Sequence, residues 1–308
     1  MVSGRIPAVV AGLCDDAAVF PPGLAPLPDA VRAYRDRQDS WYAGLVGPLV
    51  LAAAALPRLG PLLPPDARLP VSVTLPGGPA DVPAVLTGCA ELPVDLRSVE
   101  VAVPEGMAAG EFLDLLAAGL EQVTGPEQIA DLDVYVEVPR DQRRPAVLEA
   151  LCSPTPPAAS GAVPRSGRYR AKFRTGGVRA DLYPDEAELA AAVAAVGQAG
   201  VPFKATAGLH HALRNTDPGT GFEQHGFLNL LLATDALAAG GSESDARALL
   251  AERDGDAVAG RVRALADDRV RGARAAFTSF GTCSITDPRD ELVALGVLTA
   301  PVPEGARP

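Results

Sequence analysis

Short runs rich in Val, Ile, Leu, Tyr and Phe alternate with longer Ala-, Leu- and Glu-rich segments along this 308-residue chain, the pattern of repeated strand–helix units. A first strand is expected at Ile6–Leu13, with a helix over Pro28–Trp41. A second strand at Gly44–Leu51 leads into a helix ending near Leu59. Pro70–Leu75 precedes a helix at Ala80–Leu92, and Arg97–Val103 precedes the amphipathic segment Ala108–Val123. Leu132–Val138 is followed by a helix at Gln142–Leu151, and the Pro/Ser/Ala/Gly stretch Ser153–Gly167 reads as an exposed loop. Arg168–Arg174 precedes an alanine-rich helix at Asp185–Ala199. Val201–Thr206 precedes a long polar loop and a helix at His225–Ala239. One or two further helices fill Ser242–Asp268, and Ala275–Phe280 precedes a short helix at Asp290–Leu295. Eight such units predict the α/β class and one (β/α)8 TIM barrel over residues 1–308, with extra helices at about 242–268.

Strand side chains alternate between faces, so parity sorts the barrel interior from the helix-facing surface. In SVEVAV the valines Val99, Val101 and Val103 take the outer face, which turns Ser98, Glu100 and Ala102 inward. DVYVEV sends Tyr135 and Glu137 in, and RYRAKFR sends in Arg170, Lys172 and Arg174. PFKAT sends in Lys204 and Thr206, and the third strand adds Ser72 and Thr74. A barrel interior normally holds branched apolar residues, and catalytic groups gather at its C-terminal mouth. Here four adjacent strands direct Glu100, Glu137, Lys172 and Lys204 toward one axis, and buried charge persists only when paired or put to use.

Composition sharpens the interest in those lysines. The chain has two lysines among 27 basic residues. A drift toward GC-rich codons accounts for the excess of arginine. Arginine replaces lysine on a surface, but not where a neutral amine is needed, because guanidinium stays protonated. A net charge of −11 argues against a nucleic-acid partner, since no basic surface is available for phosphates. The four cysteines, Cys14, Cys89, Cys152 and Cys283, are scattered without C-x-x-C spacing, as expected of thiols in a reducing cytosol. No signal-peptide pattern is read at the start, and no run approaches about 18 apolar residues, so no membrane span is expected. The expectation is a cytoplasmic enzyme on a small-molecule substrate, without cofactor or metal, with a homodimer as a possible assembly.

A lysine attacks a carbonyl as the neutral amine, scarce at neutral pH for a free side chain. Burial and a second ammonium nearby both favour the neutral form. Two inward lysines on neighbouring strands are therefore expected to act together, one forming an imine while the other holds its pKa down, with Glu100 or Glu137 moving protons. Two other readings stay open. The same Lys/Glu cluster serves acid–base isomerisation, decarboxylation or condensation with all charges retained, or the barrel is a non-catalytic metabolite binder.

Five segments also carry a resemblance. KFRTG (Lys172–Gly176) resembles the K-x-x-T-G of deoxyribose-phosphate aldolases, and GVPFKATAGLHH (Gly200–His211) resembles their F-K-P-A-G-G-V-R. SFGTCS (Ser279–Ser284) resembles their F-G-A-S-S phosphate loop. VEVAVPEGMAAG (Val99–Gly110) and VYVEVP (Val134–Pro139) are similar to their fourth and fifth strands. The resemblance spans about Leu69 to Leu298 and implies a class I aldolase, with Lys172 forming the Schiff base, Lys204 as second lysine, Glu100 in the proton relay and Glu137 at a family glutamate. It also implies substrate contacts from Thr206, Gly208, Gly281 and Ser284. The departures concern the substrate. Glu100 stands where the family has Asp, Phe173 and Arg174 replace small polar residues, and Ala207-Gly208-Leu209-His210 replaces G-G-V-R. An acidic or polar carbonyl compound read by Arg170, Arg174 and His210 is the expectation that follows.

Three histidines, His210, His211 and His225, lie within sixteen residues. Adjacent His210 and His211 do not readily face one metal from an extended loop, so substrate contacts or loop hydrogen bonds are preferred to a zinc site. Asp15 and Asp16 are placed just after the first strand, where a turn cap and a role at the mouth are both open; Asp16 is counted among the substrate-facing residues. Thr175-Gly176-Gly177 and Gly281-Thr282 offer backbone N–H groups to an anion or serve turn geometry alone. Cys283 is read as a small buried residue rather than a nucleophile.

Overall fold

Val99 and Val101 are fully buried, and Glu100 between them turns the other way, into hydrogen bonds from Ser72 and Lys204. Repeated around the chain, that alternation builds a closed barrel in the computed structural model, which describes residues 6–123, 132–153 and 169–301. Its parallel strands are β1 (Cys14–Asp16), β2 (Val46–Ala52), β3 (Leu69–Leu75), β4 (Val94–Ala102), β5 (Asp133–Glu137), β6 (Tyr169–Arg174), β7 (Phe203–Thr206) and β8 (Phe277–Thr282), with β8 pairing back onto β1. The expected (β/α)8 TIM barrel is present. The Ser153–Gly167 segment lies outside the described residues except for Ser153.

The helices between strands are α1 (Leu27–Gln38), α2 (Val82–Ala90), α3 (Ala109–Val123), α4 (Arg144–Cys152), α5 (Glu186–Gln198) and α6 (Phe227–Ala238). Three more follow, α7 (Glu243–Ala251), α8 (Gly255–Arg263) and α9 (Asp267–Ala276), before α10 (Thr286–Ala294). Local chemistry fixes their starts. Asp185 accepts from Glu188 N at 2.7 Å, Ser242 and Asp245 form a capping box, and Asp254 accepts from the N–H groups of Asp256 and Ala257. Every residue of α6 from Phe227 to Asp235 is buried, because α5, α7, α8 and α9 all pack on it. An apolar circumference of that kind needs cover on all sides. The polar member Asn229 is satisfied by donating to Leu249 O and Glu252 O and accepting from Arg214 N.

Several boundaries differ from the sequence reading. Ile6–Leu13 is not the first strand; Val10 N and Ala11 N both donate to Pro7 O, and Gly12 has φ 58°, which makes the segment a turn. The strand is Cys14–Asp16, so Asp15 and Asp16 lie in it rather than after it. The helix expected up to Leu59 is replaced by two 3-10 turns, Ala53–Arg58 and Gly60–Leu62, since Pro57 and Pro61 lack the N–H that a continuous helix requires. Ala275 and Ala276 end α9, and β8 runs on to Thr282.

Candidate active site

In-register pairing sets the site. Glu137 pairs with Lys172, Lys172 with Lys204, and Lys204 with Ser279, so four consecutive strands present these residues side by side. Glu100 enters from β4 opposite Thr74 and Tyr135. Lys204 Nζ donates to Asp15 Oδ2 at 2.5 Å and to Glu100 Oε1 at 2.7 Å. Lys172 Nζ lies 2.8 Å from Glu100 Oε2 and 2.9 Å from Glu137 Oε2. The charges therefore alternate along one chain of contacts: Asp15, Lys204, Glu100, Lys172, Glu137. Lys204 is 1% exposed, Lys172 5% and Glu100 2%, whereas Glu137 is partly open at the mouth.

Polar neighbours support the chain from below. Ser72 Oγ donates to Glu100 Oε1 at 2.8 Å, and Ser98 Oγ donates to Ser72 Oγ at 2.6 Å. Ser279 Oγ donates to Asp15 Oδ2 at 2.7 Å. Lys204 Nζ also stands 5.2 Å from the centre of the Tyr135 ring, a favourable position for a cation. Gly47 makes room for Asp15, because a Cβ at that position would collide with Asp15 Oδ1.

The electrostatics of the cluster differ from the sequence expectation in one respect. Burial alone pushes the Lys172 ammonium down, but Glu100 and Glu137 outweigh it and hold Lys172 above the usual lysine range. Burial likewise opposes the charge on Lys204, and Asp15 and Glu100 likewise prevail. Lys204 therefore does not hold Lys172 neutral in the resting site; carboxylates stand between and beside the two ammoniums. Burial works against Glu100 as well, yet the two lysines drive its carboxyl far below the ordinary carboxylate range. Asp15 goes the other way, since burial raises it by more than Lys204 and Ser279 lower it. Burial lifts the Tyr135 phenol to about 12.

The expected substrate-facing residues divide into three groups. At the mouth, Arg174 is exposed at the end of β6, with Nη1 3.7 Å from Glu137 Oε1. Thr206 ends β7, its buried Oγ1 without a partner among the described residues, and Gly281 of β8 lies opposite it with ordinary space for a side chain. Beside the mouth, Gly208 has φ 72° and its Cα lies against Gly176, where a Cβ on either glycine would strike Tyr183. These glycines thus serve close packing of two loops. Ser284 Oγ is taken up by the start of α10, accepting from Asp287 N at 3.3 Å. His210 Nδ1 sits 3.4 Å from Thr282 Oγ1 and 3.6 Å from Cys283 Sγ, and burial, reinforced by His211, lowers its pKa. His211 Nδ1 is 2.6 Å from Glu291 Oε1, a contact that raises its pKa.

Outside the cluster lie Arg170, low in the barrel, and Asp16, at the end of β1 but turned toward α1. Arg170 Nη2 pairs with Asp133 Oδ1 at 2.5 Å, opposite Tyr135 in the lower half of the barrel. Asp16 is 1% exposed and accepts from Arg37 Nη1 at 2.5 Å and from Ala18 N at 3.1 Å, tying β1 to α1. His225 is fully buried, with Nε2 donating to Pro184 O at 2.8 Å, and so does not join His210 and His211. Among the described residues no three His, Cys, Asp or Glu side chains converge as a metal site. Asp15 is the residue that the sequence reading left open and the site contains.

Fold and cluster together define a (β/α)8 barrel with a buried lysine–carboxylate chain opening at its C-terminal mouth. No protein-family model matches the sequence, and neither does any curated protein. No helix among the described residues is long and apolar enough to cross a membrane.

Proposed function

We propose that the chain is a Schiff-base-forming lyase of the aldolase type, making or breaking a carbon–carbon bond in a small carbonyl compound through Lys172. The observation that carries this reading is the position of Lys172 Nζ between Glu100 Oε2 and Glu137 Oε2. An imine former must lose a proton before it attacks, and Glu137, which is not shared with Lys204, is an acceptor already in contact. Exclusion of water by substrate favours this transfer, because a neutral amine–carboxylic acid pair is cheaper to bury than two ions. The amine adds to the carbonyl carbon, and the protonated carboxyl returns its proton as the carbinolamine expels water. The iminium then draws the electrons of the Cα–Cβ bond as a carboxylate takes the β-hydroxyl proton and a carbonyl fragment leaves; the enamine left behind regains a proton at Cα, and hydrolysis by one water frees the second product and the lysine. Lys204 stays charged and keeps Glu100 ionised beside the iminium. The motifs shared with deoxyribose-phosphate aldolases support the same roles. A small-molecule substrate, a cytoplasmic setting and a homodimeric assembly belong to this proposal.

A second reading keeps every charge in place and uses the cluster for acid–base isomerisation, decarboxylation or condensation. It is favoured by the raised pKa of both lysines. Borohydride reduction in the presence of small aldehydes and ketones, followed by peptide mass spectrometry, separates the two. The imine reading expects a reduced adduct on Lys172 that disappears in Lys172→Arg. Turnover without an adduct, with residual activity in Lys172→Arg, gives the second.

A further inference from the structure

The described residues leave one cation open to an incoming substrate beside Lys172. Arg170 is held by Asp133 in the lower half of the barrel, and Arg37 is held by Asp16. Arg214 is buried against Glu186, and His211 is engaged by Glu291. Arg174 is different: its side chain is 46% exposed, and its contact with Glu137, at 3.7 Å, is beyond hydrogen-bond distance. Arg174 follows Lys172 by two residues on the same strand, which puts both on the inner face, about 6.5 Å apart along it. Glu137 touches both, Lys172 through Oε2 and Arg174 through Oε1.

We infer that the substrate is a 2-oxo acid, with Arg174 taking the carboxylate and Lys172 the adjacent keto carbon. This rests on the imine reading of Lys172. A keto carbon bonded to an amine nitrogen, its attached carboxylate and one charge-assisted hydrogen bond together span about the rise between the two strand positions. Guanidinium suits the task, since its planar fork matches a carboxylate with two parallel donors. Glu137, in contact with Lys172 Nζ, takes its proton as substrate excludes water from the site. The amine that results adds to the keto carbon; the carbinolamine takes a proton from Glu137 and loses water, giving an iminium. A base then removes a C3 proton to leave an enamine. The next two strands, with Thr206 in register with Arg174 and Gly281 in register with Thr206, offer an uncharged surface beside the guanidinium for the rest of the molecule.

Pyruvate and hydroxyacetone share a keto carbon and differ in the carboxylate, so they make the test. Under cyanoborohydride the wild-type protein is expected to be labelled on Lys172 by pyruvate at a half-saturating concentration at least tenfold below that of hydroxyacetone. Arg174→Gln should shrink this ratio by roughly tenfold to a hundredfold, and Arg174→Lys by less, with circular dichroism verifying the fold of each. Equal or better labelling by hydroxyacetone, or a ratio unmoved by Arg174→Gln, overturns the inference and leaves the imine reading standing. If neither ketone labels any lysine, the imine reading fails. Calorimetry with oxamate, which presents the same carboxylate without a reactive ketone, then decides. Binding that weakens in Arg174→Gln retains the carboxylate site, and no binding to the wild type removes it.

Discussion

Asp15 Oδ2 lies 2.5 Å from Lys204 Nζ, joining the first strand of the barrel to the seventh across a distance of 189 residues in sequence. Strand β8 stands between those two strands, so the contact runs through the interior rather than along the sheet. It anchors the inner end of the charge chain, and Gly47 supplies the space for the carboxylate. Gly47→Ala is therefore expected to displace Asp15 and cost about 1–3 kcal/mol as overpacking. Asp15→Ala leaves Lys204 with one carboxylate and should cost about 3–5 kcal/mol. In the double variant the new methyl enters space that the carboxylate has vacated, so the loss should fall below the sum of the two singles. Urea unfolding of the four proteins measures this coupling, and strict additivity would contradict it.

Glu100 is shared by both lysines, so its removal weakens two ion pairs at once. Glu100→Gln keeps the volume but leaves both ammoniums with one carboxylate each, for an expected loss of about 3–5 kcal/mol. Ser72→Ala removes one hydrogen bond from Oε1 and should cost about 1 kcal/mol. Denaturant midpoints at neutral pH test the order. Equal losses would mean that Glu100 is held mainly by the serines.

The two lysines should separate in assays because their surroundings differ. Lys172→Arg retains a cation between Glu100 and Glu137 and should remove reductive labelling while leaving most of the stability. Lys204→Met leaves Asp15 without its cation and Glu100 with Lys172 alone, so it should lower stability by several kcal/mol and weaken labelling of Lys172 indirectly. A Lys204→Met protein as stable as the wild type would show that the buried pair is not structural.

His225 makes stability sensitive to mild acid. Burial holds its folded pKa at about 4 against an ordinary value of 6.5, with Arg214 adding to the effect. The unfolded chain therefore binds the proton first as pH falls. The contribution is intact above about pH 6.5 and is lost toward pH 4, to a total of about 3 kcal/mol. Asp15, raised by burial, has the opposite slope, losing stability as pH rises through its folded pKa. The difference between wild type and His225→Gln, measured by urea unfolding at several pH values, isolates the histidine. Parallel pH curves for the two proteins would count against it.

Much of the barrel was legible because its strands carry period-two valines: SVEVAV and DVYVEV declare their outer faces, and the intervening Glu100 and Glu137 follow by parity. The same alternation turned Lys172 and Lys204 inward. The first strand was not legible, since Cys-Asp-Asp carries no strand preference, while the apolar Ile6–Leu13 just before it suggested one. That misplacement put Asp15 just after the strand, where a turn cap and a role at the mouth are both open, and hid its contact with Lys204. Helix α9 escaped notice for a similar reason: DDRVRGARAA is polar, contains a glycine and has just two buried residues, Val270 and Ala273. Arg170 was read correctly as inward but not as low in the barrel, because parity gives the face of a side chain and not its depth. The partners of His210, His211 and His225 depend on loop and helix packing that local sequence does not encode.

The alternating chain of charge also constrains how this protein changes over generations. Each inner member is held by neighbours of opposite sign, so a single exchange at Lys204 or Glu100 passes through an uncompensated buried ion. Replacing Lys204 with arginine preserves the charge, yet it asks a planar group with five donors to fit where two carboxylate oxygens and the Tyr135 ring already stand. Packing alone is thus enough to keep lysine at that position. The scarcity of lysine elsewhere argues for amine chemistry at Lys172 more than at Lys204, and a change at any inner member of the chain calls for a compensating change at its neighbour.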